Sequence, residues 1–329
     1  QTWAYGLSAP ADGGAPTKLF RETTKAWVEP PDPLTFLKDG SFLFRSERSG
    51  WKHFYHYARD GKLLGPVTEG EWEARSIVEV DNEHGYFYFS GTKDNPIAEN
   101  LYRVKLDGGE VERLTGEPGA HRTDVSPGGT YFTDSWSSHD TPTREVRRKT
   151  ADRSIARTLD TNPVRDLNRY ELGSFELVHI PTPDGFVMEG SILRPVDFDP
   201  AKKYPVWFMT YGGPQAPTVS DSWGSRTWDH AMAHDGFIIF RADPRSASGK
   251  GAVSAWTSYK QLGVGELADI ETAIKWLCKN PWVDPSRIGM SGHSFGGYTT
   301  FALAGGPFAV GTFTEPRIKA IMPQAPAAL

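Results

Sequence analysis

Ser294 lies between Gly292 and Gly296 in the run Gly289-Met290-Ser291-Gly292-His293-Ser294-Phe295-Gly296-Gly297-Tyr298. The residues ahead of it, 287–290, read as strand, and those behind it, 298–303, read as helix. A serine at such a strand–turn–helix junction is lifted clear of the sheet, and the small flanking residues let the turn close. The chemistry on offer is attack on an acyl carbonyl, with the Phe295 N–H turned toward the oxyanion that forms. A hydroxyl is a weak nucleophile near neutrality and needs an imidazole to take its proton. Folds with this junction place an acid and then a histidine after the serine, yet the 35 residues behind Ser294 contain neither Asp nor His. The expectation is a chain that holds the nucleophile, lacks the triad Asp and His, and by itself is nearly inactive.

Other residues invite chemistry less strongly. His293 adjoins the nucleophile, but neighbours on a sharp turn diverge, so it reads as packing rather than as the base. His230 and His234 are four apart near Asp229 and Asp235, a spacing that could hold a metal, yet no third ligand is in register and a helix face is expected. Asp269 reads as a structural partner, Glu315 as a surface carboxylate, and Arg245 as a turn or ion-pair residue before a substrate contact. Cys278, the single cysteine, excludes an internal disulfide and reads as a structural thiol.

The elements that must carry these residues fall into two textures. Residues 1–160 repeat: Asp12-Gly13, Asp60-Gly61 and Asp107-Gly108 each separate an aromatic alternating run from a shorter one, at spacings of about 44–48 residues. A second strand type recurs at 41–44, 86–89 and 130–133. A period of that size holding four short strands predicts the blades of a β-propeller rather than a β-sandwich, with about three blades and the back half of a fourth. After a polar linker over 161–171, residues 172–329 alternate continuous apolar strands with helices, the pattern of a mostly parallel sheet covered on both faces. About six strands are accounted for before the chain stops, so the expected architecture is a partial propeller followed by the front portion of an α/β domain.

Net charge −5 and a pI near 6.0 give no reason to invoke nucleic acid. No run is long and apolar enough to span a bilayer. The first residue is Gln rather than Met, which suggests that the natural start lies upstream. No cofactor is implied. The cysteine count leaves the compartment open, with a periplasmic or secreted site favoured over the cytoplasm.

Together, the propeller repeat, the Ser294 junction, Tyr211-Gly212-Gly213-Pro214, the stretch Leu262-Gly263-Val264-Gly265-Glu266-Leu267-Ala268-Asp269, and Asp243-Pro244-Arg245 closed by Gly249 give a chain that resembles the prolyl oligopeptidase family of serine peptidases, in its dipeptidyl peptidase IV-like branch. The blade text Ser46-Glu47-Arg48-Ser49-Gly50-Trp51 is similar to that branch as well. The resemblance implies an α/β-hydrolase catalytic domain, an oligopeptide substrate, and an acyl-enzyme on Ser294. It implies that the Tyr211 hydroxyl completes the oxyanion hole with the Phe295 amide, and that Tyr298 and Arg245 border the substrate. A homodimer of the full-length parent is left open. The acidic motif with which the branch grips a substrate amino terminus belongs to an earlier part of the propeller, so the resemblance does not extend exopeptidase action to the residues present. From Ala304 onward the sequence looks more like dienelactone-hydrolase-type proteins. A carboxylesterase on the same scaffold and a catalytically silent propeller that binds partners are the alternatives.

Overall fold

Gly13, Gly61 and Gly108 adopt φ of +87°, +86° and +89°, and each N–H donates to the carbonyl three residues back, at Pro10, Ala58 and Lys105. Asp-Gly is placed where a left-handed residue closes a tight turn between two strands, and only glycine enters that region without a Cβ penalty. The computed structural model describes residues 2–30, 32–224, 226–305 and 318–324, with side chains in the last stretch only at 321 and 322. The chain divides into one unit of residues 1–162 plus 250–256 and a second of residues 163–249 plus 257–329.

The first unit is a series of antiparallel meanders. β1 (Trp3–Ser8) and β2 (Thr17–Thr23) form a two-stranded hairpin. The first complete blade comprises β3 (Thr35–Phe36), β4 (Phe42–Ser46), β5 (His53–Tyr57) and β6 (Leu63–Pro66). The second comprises β7 (Ala74–Asp81), β8 (Tyr86–Gly91), β9 (Asn100–Lys105) and β10 (Glu112–Arg113). The third comprises β11 (Ala120–Val125), β12 (Tyr131–Ser137), β13 (Arg144–Lys149) and β14 (Ile155–Asp160).

In the first two blades the aromatic runs are the middle strands, apolar on both sides because both faces are covered. The third blade is covered on the face toward the second, and its outer strand β14 is exposed throughout. Phe42, Phe44, Tyr55 and Tyr57 pack with Leu19 and Phe20 of the hairpin. On the other side Leu43 and Phe54 pack with Phe87, Phe89 and Tyr102 of the second blade. Tyr88, Leu101 and Leu114 then meet Val125 and Phe132 of the third. Each such side chain, fully removed from water, contributes about 1.5–3 kcal/mol.

The second unit is built on one six-stranded sheet. β15 (Phe175–Pro181) and β16 (Val187–Leu193) form an antiparallel pair around a turn with Gly185 at φ +90°. β17 (Tyr204–Met209) leads through α1 (Thr227–His234) to β18 (Ile238–Ala242), its parallel neighbour. From β18 the chain passes through α2 (Ala252–Trp256), which groups with the first unit: there the Val253 N–H donates to the Gly50 carbonyl at 3.2 Å. α3 (Val264–Leu277) returns to β19 (Val283–His293), and α4 (Phe295–Leu303) precedes β20 (Ile318–Gln324). The sheet order is β15-β16-β18-β17-β19-β20, with the last four strands parallel. α3 buries Leu267, Ile270, Ile274 and Leu277 at helical spacing against Phe208, Phe240 and Met290 of the sheet. This places the ends of β17, β18 and β19 side by side, where the candidate site lies.

Candidate active site

β19 ends and α4 begins at a single residue. Ser294 has φ 54° and ψ −117°, a backbone conformation that costs a non-glycine residue about 1–3 kcal/mol and persists only where the surroundings impose it. The surroundings here are backbone. A Cβ on Gly292 would lie 2.4 Å from the Gly296 carbonyl oxygen, and one on Gly296 would lie 2.4 Å from that of Thr210. The turn therefore closes against itself and against the end of β17, and neither flank tolerates a side chain. Ser294 is half-buried and Phe295 is buried. The Phe295 N–H opens α4, where the first N–H groups have no intrahelical acceptor and carry the positive end of the helix dipole.

Tyr211 follows β17 by two residues and is half-buried. Its ring lies 6.2 Å, centroid to centroid, from that of Phe295, and it folds back over Gly213, where a Cβ would sit 2.5 Å from Tyr211 Cε1. The two residues expected to form an oxyanion hole are thus brought together by two strand ends 84 positions apart in sequence. Beside them is a cavity of about 380 Å³ whose wall includes Tyr211, Thr218, Trp228, Arg241, Gly292 and His293. The cavity takes His293, which is exposed, rather than Ser294 into its wall. Among the described residues the Ser294 hydroxyl makes no hydrogen bond to an imidazole.

Of the remaining expected site residues, Tyr298 neighbours Phe295, their ring centroids 5.5 Å apart, and Arg245 lies on the loop after β18. Tyr298 is 8% exposed and sits in the core of the second unit, its hydroxyl over Gly263 at the start of α3. Burial first, then the Glu266 charge, pushes that phenol above the usual tyrosine range. Arg245 binds Asp269 through Nε and Nη2, at 2.9 and 2.8 Å, and Asp184 through Nη1 and Nη2, at 2.7 and 3.2 Å. Those bonds to two carboxylates hold its guanidinium far above the ordinary arginine range and Asp184 well below the ordinary carboxylate range. Arg245 is an ion-pair centre that ties the β15–β16 turn to α3, and Asp269 is its buried partner.

His230 lies on α1, held below the usual histidine range mainly by burial. Cys278 is half-buried, and burial pushes its thiol to about 11. Glu315 lies outside the described residues.

Two groups near the site were not singled out by their own chemistry. Asp243, at the end of β18, is 1% exposed and accepts hydrogen bonds from the loop that follows Tyr211. Ser291 takes the Trp207 indole N–H at 2.9 Å. The signal for Asp243 was an aspartate directly after a continuous apolar strand; its partners, about 25 residues upstream, give no local sign of it.

Comparison with known proteins bears on the family and the fold. Residues 5–143 match the dipeptidyl peptidase IV N-terminal region, and residues 223–322 match the prolyl oligopeptidase family. A dipeptidyl peptidase 4 of Trichophyton equinum is 29% identical over 316 residues, 91% of this chain and 41% of the relative. A probable dipeptidyl peptidase 4 of Aspergillus flavus is 27% identical over 312 residues, 90% of this chain and 40% of the relative. The crystal structure of Porphyromonas gingivalis dipeptidyl peptidase 4 superposes with a TM-score of 0.84 at 28% identity, over 92% of this chain and 44% of that one. A putative dipeptidyl aminopeptidase IV from Bacteroides ovatus gives the same TM-score, 0.84, at 28% identity, over 92% of this chain and 46% of its own. The chain thus spans about two-fifths of the length of the curated relatives it matches.

Proposed function

Because this chain belongs to the prolyl oligopeptidase family, in its dipeptidyl peptidase IV-like branch, we propose that it supplies the nucleophile and the oxyanion site of a serine peptidase acting on oligopeptides. The observation that carries the reading is the strained Ser294 turn, closed by Gly292 and Gly296 against the strand end that bears Tyr211. Ser294 Oγ attacks the scissile carbonyl carbon, and the carbonyl oxygen becomes an oxyanion between the Phe295 N–H and the Tyr211 hydroxyl. Each such donor contributes about 2.7–4 kcal/mol to the transition state when it is pre-aimed. The amine leaves with a proton, an ester remains on Ser294, and water then releases the acyl group. Both steps require an imidazole base, so the activity proposed is that of the enzyme in which one meets Ser294. The names of the relatives point to release of dipeptides from the amino terminus.

The test is covalent. A fluorophosphonate probe should label the protein at Ser294, and Ser294→Ala should abolish the label. A dipeptidyl p-nitroanilide should be cleaved faster than a p-nitrophenyl ester of a short acid. Labelling that persists in Ser294→Ala removes the nucleophile assignment, and turnover of the ester alone makes the protein a carboxylesterase.

A further inference from the structure

β17 and β18 are parallel neighbours, and their partnership continues past the sheet. Thr210 Oγ1 donates to the Ala242 carbonyl at 3.2 Å, and the Gln215 N–H donates to the Ser246 carbonyl at 2.8 Å. Between these two ties sits Asp243. Its carboxylate accepts the Thr218 N–H at 3.0 and 2.8 Å, the Thr218 hydroxyl at 2.6 Å and the Val219 N–H at 2.8 Å. Its own N–H donates to the Glu189 carbonyl at 3.0 Å. Two residues on, Arg245 is pinned by Asp184 and Asp269. Residues 242–246 are therefore a fixed rail, and the arc 210–219 hangs from it at three points.

The arc needs that rail. Gly212 and Gln215 have φ of +74° and +55°, and a non-glycine residue in that region is held there by contacts outside itself. The arc also carries Tyr211, whose hydroxyl must be aimed before the oxyanion forms if it is to stabilise it.

We propose that Asp243 is a positioning residue for Tyr211: by gripping the backbone at Thr218 and Val219 it sets where the Tyr211 hydroxyl stands. The proposal rests on the reading of Tyr211 as an oxyanion donor. Both carboxylate oxygens face donors, so the grip requires the ionised form; a proton on either oxygen would face an N–H or compete with the Thr218 hydroxyl. The charged groups around it are the buried Glu189 on β16, itself paired with His179 on β15 at 2.9 Å, and Arg245, which is directed at Asp184 and Asp269. Burial, with the Glu189 charge adding to it, lifts the Asp243 carboxyl to about 6 against the pull of its donors. The grip is accordingly released in mildly acidic solution.

The experiment combines amide hydrogen exchange with the rate at which a fluorophosphonate labels Ser294. In the wild type, the Thr218 and Val219 amides should be protected at pH 8 and lose at least ten-fold of that protection by pH 5, after correction for intrinsic exchange. Asp243→Asn should show the low protection at both pH values. Thr218→Val, which keeps both amides and loses only the hydroxyl bond, should shift in the same direction by less and serves if Asp243→Asn does not fold. Asp243→Asn and Tyr211→Phe should each slow labelling about ten-fold or more, and the double variant should be no slower than Tyr211→Phe alone. Unchanged amide protection in Asp243→Asn, or losses that multiply in the double variant, overturns the positioning role. Tyr211→Phe labelled at the wild-type rate instead overturns the oxyanion reading, whatever the amides do.

Discussion

The Trp207 indole N–H donates to Ser291 Oγ at 2.9 Å, across the parallel pair β17 and β19 and three residues before the nucleophile. The same ring covers Gly289, its register partner, where a Cβ would lie 2.3 Å from the indole. The strand that presents Ser294 is thus indexed against the strand that presents Tyr211 by one side chain. Trp207→Phe would leave the buried Ser291 hydroxyl without that donor. The expected cost is about 1–3 kcal/mol, read as a lower urea midpoint with an unchanged denaturant slope.

Gly296→Ala would press a methyl group to 2.4 Å from the Thr210 carbonyl oxygen and 3.1 Å from Tyr211 Cα. Both contacts are backbone and cannot rotate away. We expect a loss of about 1–3 kcal/mol or more and at least a ten-fold slower fluorophosphonate reaction at Ser294. A variant that melts and labels like the wild type would mean that the turn is looser than its glycines indicate.

In the third blade Asp134 is fully buried between His121, whose Nδ1 is 2.8 Å away, and Arg148, whose Nε is 3.2 Å away; Arg148 also reaches Glu117. Asp134→Ala removes the shared partner and leaves the Arg148 charge under-compensated in a dry site. Breaking such a network costs about 3–5 kcal/mol. Equilibrium denaturation should show the loss, and limited proteolysis should place it within residues 120–160.

The Asp243 carboxyl has a definite sign in pH. Its folded value, about 6, lies above the 3.8 of an unperturbed aspartate, so the folded chain holds this proton where the unfolded chain has released it. The contribution favours folding fully below about pH 4 and fades as pH rises to about 6, by a total of about 3 kcal/mol. Asp243→Asn cannot titrate. The stability of the wild type relative to that variant should therefore fall between pH 4 and 6 and be flat above 7, as followed by melting temperature across buffers.

Much of this architecture was legible because its causes are local. The Asp-Gly pairs announce turns through the left-handed φ that each glycine adopts, and their spacing announces blades. The alternation of apolar strands with helices announces a covered sheet, and Gly-x-Ser-x-Gly announces a junction too tight for side chains. α3, too, carries its apolar residues Leu267, Ile270, Ile274 and Leu277 at a local, helical spacing.

What the sequence could not rank was which polar residue answers which. Arg245 and Asp269 are 24 apart, Asp243 and Thr218 are 25 apart, and Trp207 and Ser291 are 84 apart. Nothing in their neighbours along the chain says which of them pair with one another. The sequence by itself determined the Ser294 turn, because the exclusion between Gly292 and the Gly296 carbonyl acts between residues four apart. The tertiary structure alone decided that this turn would close against Thr210 and Tyr211. That outcome depends on strand order, β17 beside both β18 and β19, and strand order is set by the packing of a whole sheet rather than by any single segment of it.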